Sequence, residues 1–299
     1  MSSIMTPALQ LLDDGWQIVQ ETAVSGGCIS QAARLQLRND DREWTVFAKS
    51  NDAEFEDNFR CEAEGLRALR SACSADVNLR VPEPIVVGVV GKFAFLISEW
   101  VDLASGSSSE FKSFGQALAR LHLATRGDAV GWHRDNYLGG SRQINAGDRN
   151  WSPFVAENRL AIQLNWAREQ GLASPRLGKD VESICRRIDS ILQGREEQTS
   201  LLHGDLWSGN YQFAADGTAT ILDPAVYRGC REAEFGMIEL FGSCPPAFYQ
   251  GYQGEWPLPS GWQRRVSVYV LYHLLNHLNL FGSGYLGQCE RLAGQISRS

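Results

Sequence analysis

The chain has 299 residues, of which 43% are hydrophobic, 10% aromatic and 21% charged. These proportions exclude a disordered chain and are enough to form the core of one large domain or of two lobes. The formal net charge of −7 argues against a nucleic-acid-binding protein, because such proteins need a basic surface to neutralise phosphates.

Several features of the sequence predict a cytoplasmic protein without membrane contact. The first residues lack a basic segment followed by an apolar run, so we expect no signal peptide. The apolar stretch 266–281 contains two histidines and two asparagines and is short for a bilayer, which indicates a buried helix. The seven cysteines are scattered without a Cys-x2-Cys pair, as expected for free thiols in a reducing compartment.

In chain order, the first hundred residues indicate strands with one main helix. Strand-like runs cover 18–37, around a glycine turn, and 43–49, and a helical pattern covers 55–71. Two further strands, 84–90 and 93–99, are paired by a turn at 91–92. The Ser/Gly run 105–109 then marks a plausible boundary between lobes.

Helices dominate the rest of the chain, with candidates at 111–125, 153–170, 180–192, 232–241 and 261–281. We therefore predict an α+β, bilobal, protein-kinase-like fold. Residues 1–101 would form an N-terminal nucleotide-binding lobe built on an antiparallel β-sheet. Residues 102–299 would form a larger, mostly helical lobe for catalysis and substrate binding.

The most informative segment is 202–210, Leu-His-Gly-Asp-Leu-Trp-Ser-Gly-Asn, which is followed by an aspartate at the end of the apolar run 221–222. Phosphoryl transfer needs one carboxylate to orient and deprotonate a hydroxyl, and an oxygen-rich pair to hold Mg²⁺ against the triphosphate. A His-x-Asp-x4-Asn loop before a hairpin that delivers an Asp has the spacing of kinase-like enzymes. We predict Asp205 as the base and Asn210 and Asp223 as metal ligands.

An alternative interpretation makes Asp205 and Asn210 ordinary turn residues, which the neighbouring glycines would suit. The intervening sequence argues against it, because strand-like runs at 211–214 and 218–222 flank Asp216-Gly217, a strong hairpin signal. Such a hairpin would fold Asp223 back beside Asn210, where both could share one ion.

Two upstream features fit the same chemistry. The segment Ser25, Gly26, Gly27 and Cys28 joins the first two strand-like runs, and glycines there let backbone N–H groups approach phosphate oxygens. A plain turn explains these glycines equally well. Lys49 ends an apolar strand, from which its ammonium would reach the α- and β-phosphates, although a lysine at a strand end is usually just solvated.

A carboxylate on the following helix would hold this lysine extended. We prefer Glu62 to Glu64, because Glu62 shares a face with Phe59 and Leu66 at helical spacing. Either glutamate could instead belong to the helix surface.

Glu99, Trp100 and Val101 follow the last strand of the first half, where backbone groups could hydrogen-bond an adenine edge. The order of glycine turn, strand lysine, helix glutamate, strand-end acid and catalytic loop predicts ATP and Mg²⁺ as cofactors.

Further motifs lie along most of the chain, between about residues 15 and 290. They are Ser25-Gly26-Gly27-Cys28-Ile29-Ser30, Phe59-x2-Glu62-x3-Leu66, Leu118-Ala119-x-Leu121-His122, Asn136-Tyr137-Leu138-Gly139, Gln143-x-Asn145, Trp151-x2-Phe154, Arg159-Leu160-x2-Gln163-Leu164, the loop 203–210, Asp223-Pro224-Ala225, Arg231-Glu232-Ala233-Glu234 and Leu240-Phe241-Gly242. With these motifs the chain resembles the fructosamine kinase (ketosamine-3-kinase) family, within the wider aminoglycoside phosphotransferase and choline kinase group.

The resemblance implies ATP-dependent phosphorylation of a sugar hydroxyl, typically the 3-hydroxyl of a ketosamine formed by glycation of an amine, and hence a role in deglycation repair. It also implies that Trp207 either forms an apolar wall for the sugar or packs the loop. Glu234 would brace the catalytic loop, and His203 would fix it through local hydrogen bonds.

The chain departs from the family pattern at Arg228-Gly229-Cys230, where family members commonly have an aromatic-Gly-His run. Residues 223–225 lack the Phe of protein kinases, which speaks against a protein kinase with a regulated activation loop.

Several questions stay open at this point. The acceptor could be a free or a protein-bound ketosamine, and an aminoglycoside, choline-type or other sugar kinase is the alternative enzyme. A nucleotide-binding pseudokinase with a regulatory role is the alternative from another class, although Asp205 weighs against it. The protein could be a monomer, or a dimer linked through oxidised Cys28, whose thiol lies amid amides that favour anions. An inert packing role for Cys28 is equally compatible.

Overall fold

The computed structural model describes residues 4–12, 15–24, 29–74, 76–146 and 150–298. Four residues of the predicted glycine turn, Ser25, Gly26, Gly27 and Cys28, lie outside the described residues. Their phosphate contacts and the oxidation of Cys28 therefore stay predictions.

The first half of the described chain is built on an antiparallel five-stranded sheet with the order β1-β2-β3-β5-β4. Its strands are β1 (Gln17–Ala23), β2 (Gln31–Asn39), β3 (Arg42–Asp52), β4 (Pro84–Val90) and β5 (Phe93–Glu99). All the strands predicted in this region are confirmed. One boundary differs, because pairing of Asn51 and Asp52 with β5 extends β3 beyond Lys49, so this lysine lies inside the strand and not at its end.

The main helix of this half is α1 (Glu56–Ala72), which follows a 3₁₀ turn at Ala53–Phe55. It buries Phe59, Ala63, Leu66 and Leu69, the face that the sequence pattern predicts. This face packs on β4 and β5. The other face of the sheet closes over a short 3₁₀ helix at Thr6–Leu11, whose Ala8 is buried with Leu35, Val46 and Phe95. α1 thus covers the part of the sheet formed by β4 and β5.

The second half is mostly helical. Its helices are α2 (Ser108–Ala124), α3 (Trp151–Val155), α4 (Ile162–Glu169), α5 (Pro175–Arg186), α6 (Ile188–Ile191), α7 (Glu234–Leu240), α8 (Pro246–Glu255), α9 (Trp262–Phe281) and α10 (Leu286–Arg298). A π-helical turn, Ala156–Ala161, joins α3 to α4, and 3₁₀ turns at Arg231–Ala233 and Ser283–Tyr285 precede α7 and α10. In the predicted boundary run, Ser107 caps α2 through a capping box with Glu110.

Short strands carry the loops between these helices. They are β6 (Leu103–Ala104), β7 (Asn136–Leu138), β8 (Ser141–Gln143), β9 (Ser200–Leu202), β10 (Tyr211–Ala214), β11 (Ala219–Ile221) and β12 (Tyr227–Gly229). β10 pairs with β11 in the predicted hairpin and with β6, and β9 pairs with β12. The segment 203–210 therefore connects β9 to β10, and Asp223 follows β11.

The sequence did not reveal α8, α10 or the β7–β8 hairpin. α8 contains two glycines and a weak apolar pattern, and it gains its stability by packing on α2. The α+β architecture itself is confirmed, whereas the division of the chain at residue 101 stays a prediction. No helix of the described residues is long and apolar enough to span a membrane.

Candidate active site

A cleft of about 1090 Å³ lies between the five-stranded sheet and the helical half. The sheet side of its lining comes from β1, β2, β3, β5 and α1 and includes Lys49 and Glu62. The helical side includes Asp205, Asn210 and Asp223, so the structure brings the predicted base and both predicted metal ligands into one cavity.

Asp205 lines this cleft and is hydrogen-bonded to Asn210. The side-chain amide of Asn210 donates to the backbone oxygen of Asp205 at 2.8 Å and to its Oδ2 at 3.1 Å. The other carboxylate oxygen, Oδ1, is buried and has no hydrogen-bond partner within the described chain. Burial, followed by the charge of Asp223, raises the pKa of Asp205 well above its usual value. The carboxylate is thus poised to accept a proton.

Asp223 reaches the same place from the β10–β11 hairpin. The backbone N–H of Leu222 donates to Asn210 O at 2.8 Å, which aligns the end of the hairpin with the loop. Asp223 itself has a left-handed backbone with φ of 54°. Residues other than glycine adopt this conformation at an energetic cost, and such strain is common at functional sites. The local backbone thus turns the Asp223 carboxylate into the cleft.

Lys49 and Glu62 form the ion pair that the sequence predicts, with Nζ 2.8 Å from Oε1. Burial alone would lower the pKa of Lys49, but the carboxylates of Asp223 and Glu62 more than offset it, so the amine stays charged. Burial, with the charge of Asp223, raises the pKa of Glu62. Glu64 faces elsewhere, as expected, and its Oε1 accepts from Trp132 Nε1 at 2.7 Å.

Glu234 supports the loop 203–210 through two hydrogen bonds. Its two carboxylate oxygens accept the backbone N–H groups of His203 at 2.7 Å and Gly204 at 3.0 Å. Burial alone would raise the pKa of Glu234, but its contacts with His122, His203 and the amides lower it, so the group is an ionised acceptor. This arrangement matches the bracing role predicted for Glu234.

His203 is a local hydrogen-bonding residue. Its Nδ1 accepts the backbone N–H of Asp205 at 3.3 Å, which leaves Nε2 to donate to Leu222 O at 2.7 Å. Burial lowers the pKa of His203, so this neutral tautomer persists. The imidazole thereby connects the catalytic loop to the segment that carries Asp223.

Trp207 is placed where it could serve either role considered for it, and its contact with the sugar stays a prediction. Its ring folds back over Gly209, where an added Cβ would lie 2.4 Å from Trp207 Cη2, and it also lines the cleft. The ring packs against Phe241, with centroids 5.5 Å apart.

The predicted adenine-binding residues Glu99, Trp100 and Val101 all line the cleft. The N–H of Glu99 already donates to Glu83 O at 2.8 Å, and its carboxylate binds Arg80 at 2.7 Å. The N–H and the carboxylate of Glu99 therefore already have partners within the protein, and adenine binding by Glu99, Trp100 and Val101 stays a prediction.

A support that sequence reasoning missed comes from the β7–β8 hairpin. Asn136 Nδ2 donates to Val226 O at 2.7 Å, and Gln143 Nε2 donates to Ala225 O at 3.0 Å. Gln143 and Asn145 both donate to Asn136 Oδ1. This buried network fixes the chain just after Asp223. The motifs Asn-Tyr-Leu-Gly and Gln-x-Asn were its signal in the sequence, but their partners are backbone carbonyls 90 and 82 residues away.

The same region also holds α1. Arg134 pairs with Asp57 at 2.6 Å, and the Tyr137 hydroxyl donates to the other oxygen of Asp57 at 3.0 Å. Residues 132–143 therefore contact both α1, which carries Glu62, and the segment after Asp223.

The run that departs from the family pattern lies away from the cleft lining. Arg228 Nη1 donates to Thr125 O at 2.8 Å, and Cys230 is buried in the helical core. The residues at which this run differs from the family pattern therefore make packing contacts in the helical half.

Among the described residues, no three His, Cys, Asp or Glu side chains form a ready-made metal cage. Mg²⁺ is usually held by one or two carboxylates together with phosphates and water, so the donor set here is of a suitable kind. The buried, unpartnered Oδ1 of Asp205, near a second carboxylate, that of Asp223, indicates a site that a cation would stabilise. Asn210 uses its amide nitrogen on Asp205, so its oxygen is the atom available to a metal.

Comparison with known proteins places the chain in a family. The family model described as fructosamine kinase matches residues 1–299. The chain belongs to the fructosamine kinase family. Among its curated relatives, a probable ketoamine kinase of Synechocystis is 39% identical to this chain, over 95% of the chain and 92% of the relative. A probable ketoamine kinase of Vibrio parahaemolyticus is 38% identical over 94% of the chain and 93% of the relative.

Solved structures confirm the kinase-like fold of this family member. A protein of Thermobifida fusca assigned as a fructosamine-3-kinase has a TM-score of 0.82 at 28% identity, with 99% of both chains covered. An aminoglycoside phosphotransferase, APH(4)-Ia, crystallised with AMP-PNP and hygromycin B, has a TM-score of 0.64 at 14% identity over 98% of both chains. The predicted family and fold are thus confirmed, and the protein is a phosphotransferase with an alcohol group as acceptor.

Proposed function

We propose that the protein transfers the γ-phosphoryl group of ATP to the 3-hydroxyl of a ketosamine, such as a fructosamine or a ribulosamine, as a step in deglycation repair. The observation that carries this proposal is the buried, unpartnered Asp205 oxygen in a cleft that is also lined by Lys49, Asn210 and Asp223. The choice of the 3-hydroxyl and of ketosamines rests on the family resemblance.

The acceptor hydroxyl would bind within hydrogen-bonding distance of Asp205. The carboxylate would orient this hydroxyl and take its proton as the new O–P bond forms, because a base of raised pKa accepts a proton readily. Asn210 holds the Asp205 side chain in place for that transfer.

Asn210 and Asp223 would hold Mg²⁺, which supplies positive charge that stabilises the transferring phosphoryl group. Lys49, kept extended by Glu62, would contact the α- and β-phosphates. Trp100 and Val101 would bind the adenine, and residues 25–28 would contribute backbone amides to the phosphates.

The test measures ADP release from Mg-ATP with fructosyl-lysine, ribulosyl-lysine, choline and kanamycin in parallel. Turnover confined to the two ketosamines, with NMR of the product showing phosphate on the 3-oxygen, is the expected result. Turnover of choline or kanamycin alone would favour the alternative kinases, and nucleotide binding without turnover would favour a pseudokinase.

A matched pair of variants tests the base. In Asp205→Asn, kcat should fall about 10²- to 10⁴-fold, which is the contribution of a positioned base, while nucleotide affinity is kept. Asp216→Asn is the control, because Asp216 is an exposed hairpin residue outside the cleft lining, whose carboxylate accepts the backbone N–H of Thr218. Full turnover by Asp205→Asn would remove this residue from the mechanism.

A further inference from the structure

A continuous row of aromatic rings extends from the catalytic loop to the mouth of the cleft. Its members, which we call the acceptor cluster, are Trp207, Phe241, His277, Phe281 and Tyr285. The ring of Phe241 lies 5.5 Å from Trp207 and 5.2 Å from His277, and His277 lies 5.4 Å from Phe281 and 5.2 Å from Tyr285. The row begins two residues after Asp205, so a substrate on the base would lie against it.

These rings do not form part of a closed core. All five line the cleft, and Phe241 and Phe281 keep 41% and 51% of their surface exposed. Large apolar side chains that stay exposed in a row at a cavity are typical of a binding surface. The cluster is therefore available to the part of an acceptor that projects beyond the reacting hydroxyl.

Among the described residues that line the cleft, no carboxylate belongs to the acceptor cluster. The acids of this lining are Glu62 and Asp223, both paired with Lys49, Glu99, paired with Arg80, and Asp205. An amine that enters the mouth would thus meet ring faces instead of a counter-ion.

His277 adds no positive charge to this end of the cleft. Its Nδ1 hydrogen-bonds to His273 O at 2.7 Å, and burial lowers its pKa, so the ring is neutral near pH 7. A neutral aromatic row of this kind attracts cations through the negative faces of its rings.

We propose that the acceptor cluster binds the protonated amine nitrogen of the acceptor by cation–π contacts, and so selects amine-linked sugars over neutral sugars of the same shape. This inference rests on the proposed function, because it concerns the same acceptor site. Phe281 is the most exposed member of the row and can be changed with little risk to folding.

The experiment compares two acceptors at pH 7, 1-benzylamino-1-deoxyfructose and its ether analogue 1-O-benzylfructose, in which a neutral oxygen replaces the ammonium. The wild-type protein should prefer the amine in kcat/KM. Phe281→Leu, which keeps apolar surface but removes the ring, should lose about 3- to 10-fold on the amine and little on the ether. Phe281→Tyr should retain the preference, and Val89→Ala, an exposed change in β4, is the control.

Two results would overturn the inference. Equal use of amine and ether by the wild-type protein would show that the charge is not recognised, while the proposed kinase function would stand. An equal loss of kcat/KM on both acceptors in Phe281→Leu would show that the cluster contributes only apolar contact and does not recognise the charge. Turnover of neither acceptor nor any ketosamine would instead refute the proposed function itself.

Discussion

The ammonium of Lys49 lies 2.6 Å from the carboxylate of Asp223, although the two residues come from opposite sides of the cleft. Glu62 binds the same ammonium from α1. Lys49 therefore balances two carboxylates, and it connects the sheet to the hairpin that carries a predicted metal ligand.

Removal of this cation should impair phosphate binding and transfer. We expect Lys49→Met to lower kcat/KM for ATP about 10²- to 10³-fold, as for the loss of one charge-stabilising donor. The control is Lys92→Met, because Lys92 lies exposed in the β4–β5 turn. Steady-state kinetics with varied ATP measure both, and an unchanged value for Lys49→Met would exclude its phosphate contact.

Acid should destabilise the protein in part through His273. Burial lowers the pKa of this histidine to about 3, whereas in the unfolded chain it is about 6.5. Below about pH 6.5 the unfolded state therefore binds more protons, and stability falls as pH falls, by about 1.4 kcal/mol per pH unit for this group.

His273→Gln should reduce that slope between pH 6 and pH 4, even if the variant is less stable at every pH. Urea unfolding at a series of pH values measures the slope, and His133→Gln, at an exposed histidine, is the matched control. A slope unchanged in His273→Gln but reduced in the control would contradict this assignment.

The turn of the catalytic loop requires glycine at position 204. Its φ is 82°, and a Cβ there would lie 2.2 Å from Ala225 O. Gly91, with φ of 62° and nothing within 4 Å of an added Cβ, is a control with the same backbone class.

Gly91→Ala should cost about 1 to 2 kcal/mol, the cost of a left-handed alanine. Gly204→Ala should cost more and should also lower kcat, because the clash displaces the chain next to Asp223. Denaturation midpoints and kcat compare the two variants. Equal costs with normal kcat would mean that the loop relaxes without effect on the site.

Asn136 is expected to position the segment after Asp223. Asn136→Ala removes the donor to Val226 O and leaves the Gln143 and Asn145 amides without their shared acceptor. Unsatisfied buried groups cost about 1 to 3 kcal/mol each, so we expect a large loss of stability and a lower kcat.

The matched control is Asn158→Ala, which removes one hydrogen bond, to Ala146 O, farther from the cleft. It should cost about 1 kcal/mol and leave kcat unchanged. If Asn136→Ala matched this control in both measurements, the hairpin would have no positioning role.

The sequence alone determined the elements whose signals are local. The spacing of Asp205, Asn210 and Asp223 with the Asp-Gly turn between them predicted a loop and hairpin, and the structure has both. The apolar periodicity of α1 also separated Glu62 from Glu64, because side chains three and four residues apart share a helix face.

Only the tertiary structure decided which distant residues meet. The pairing of Lys49 with Asp223, the support of residues 225–226 by Asn136 and Gln143, and the acceptor cluster all join segments far apart in the chain. α8 likewise depends on its packing against α2. Such contacts arise from the packing of whole elements, and the spacing of residues within any one segment does not encode them.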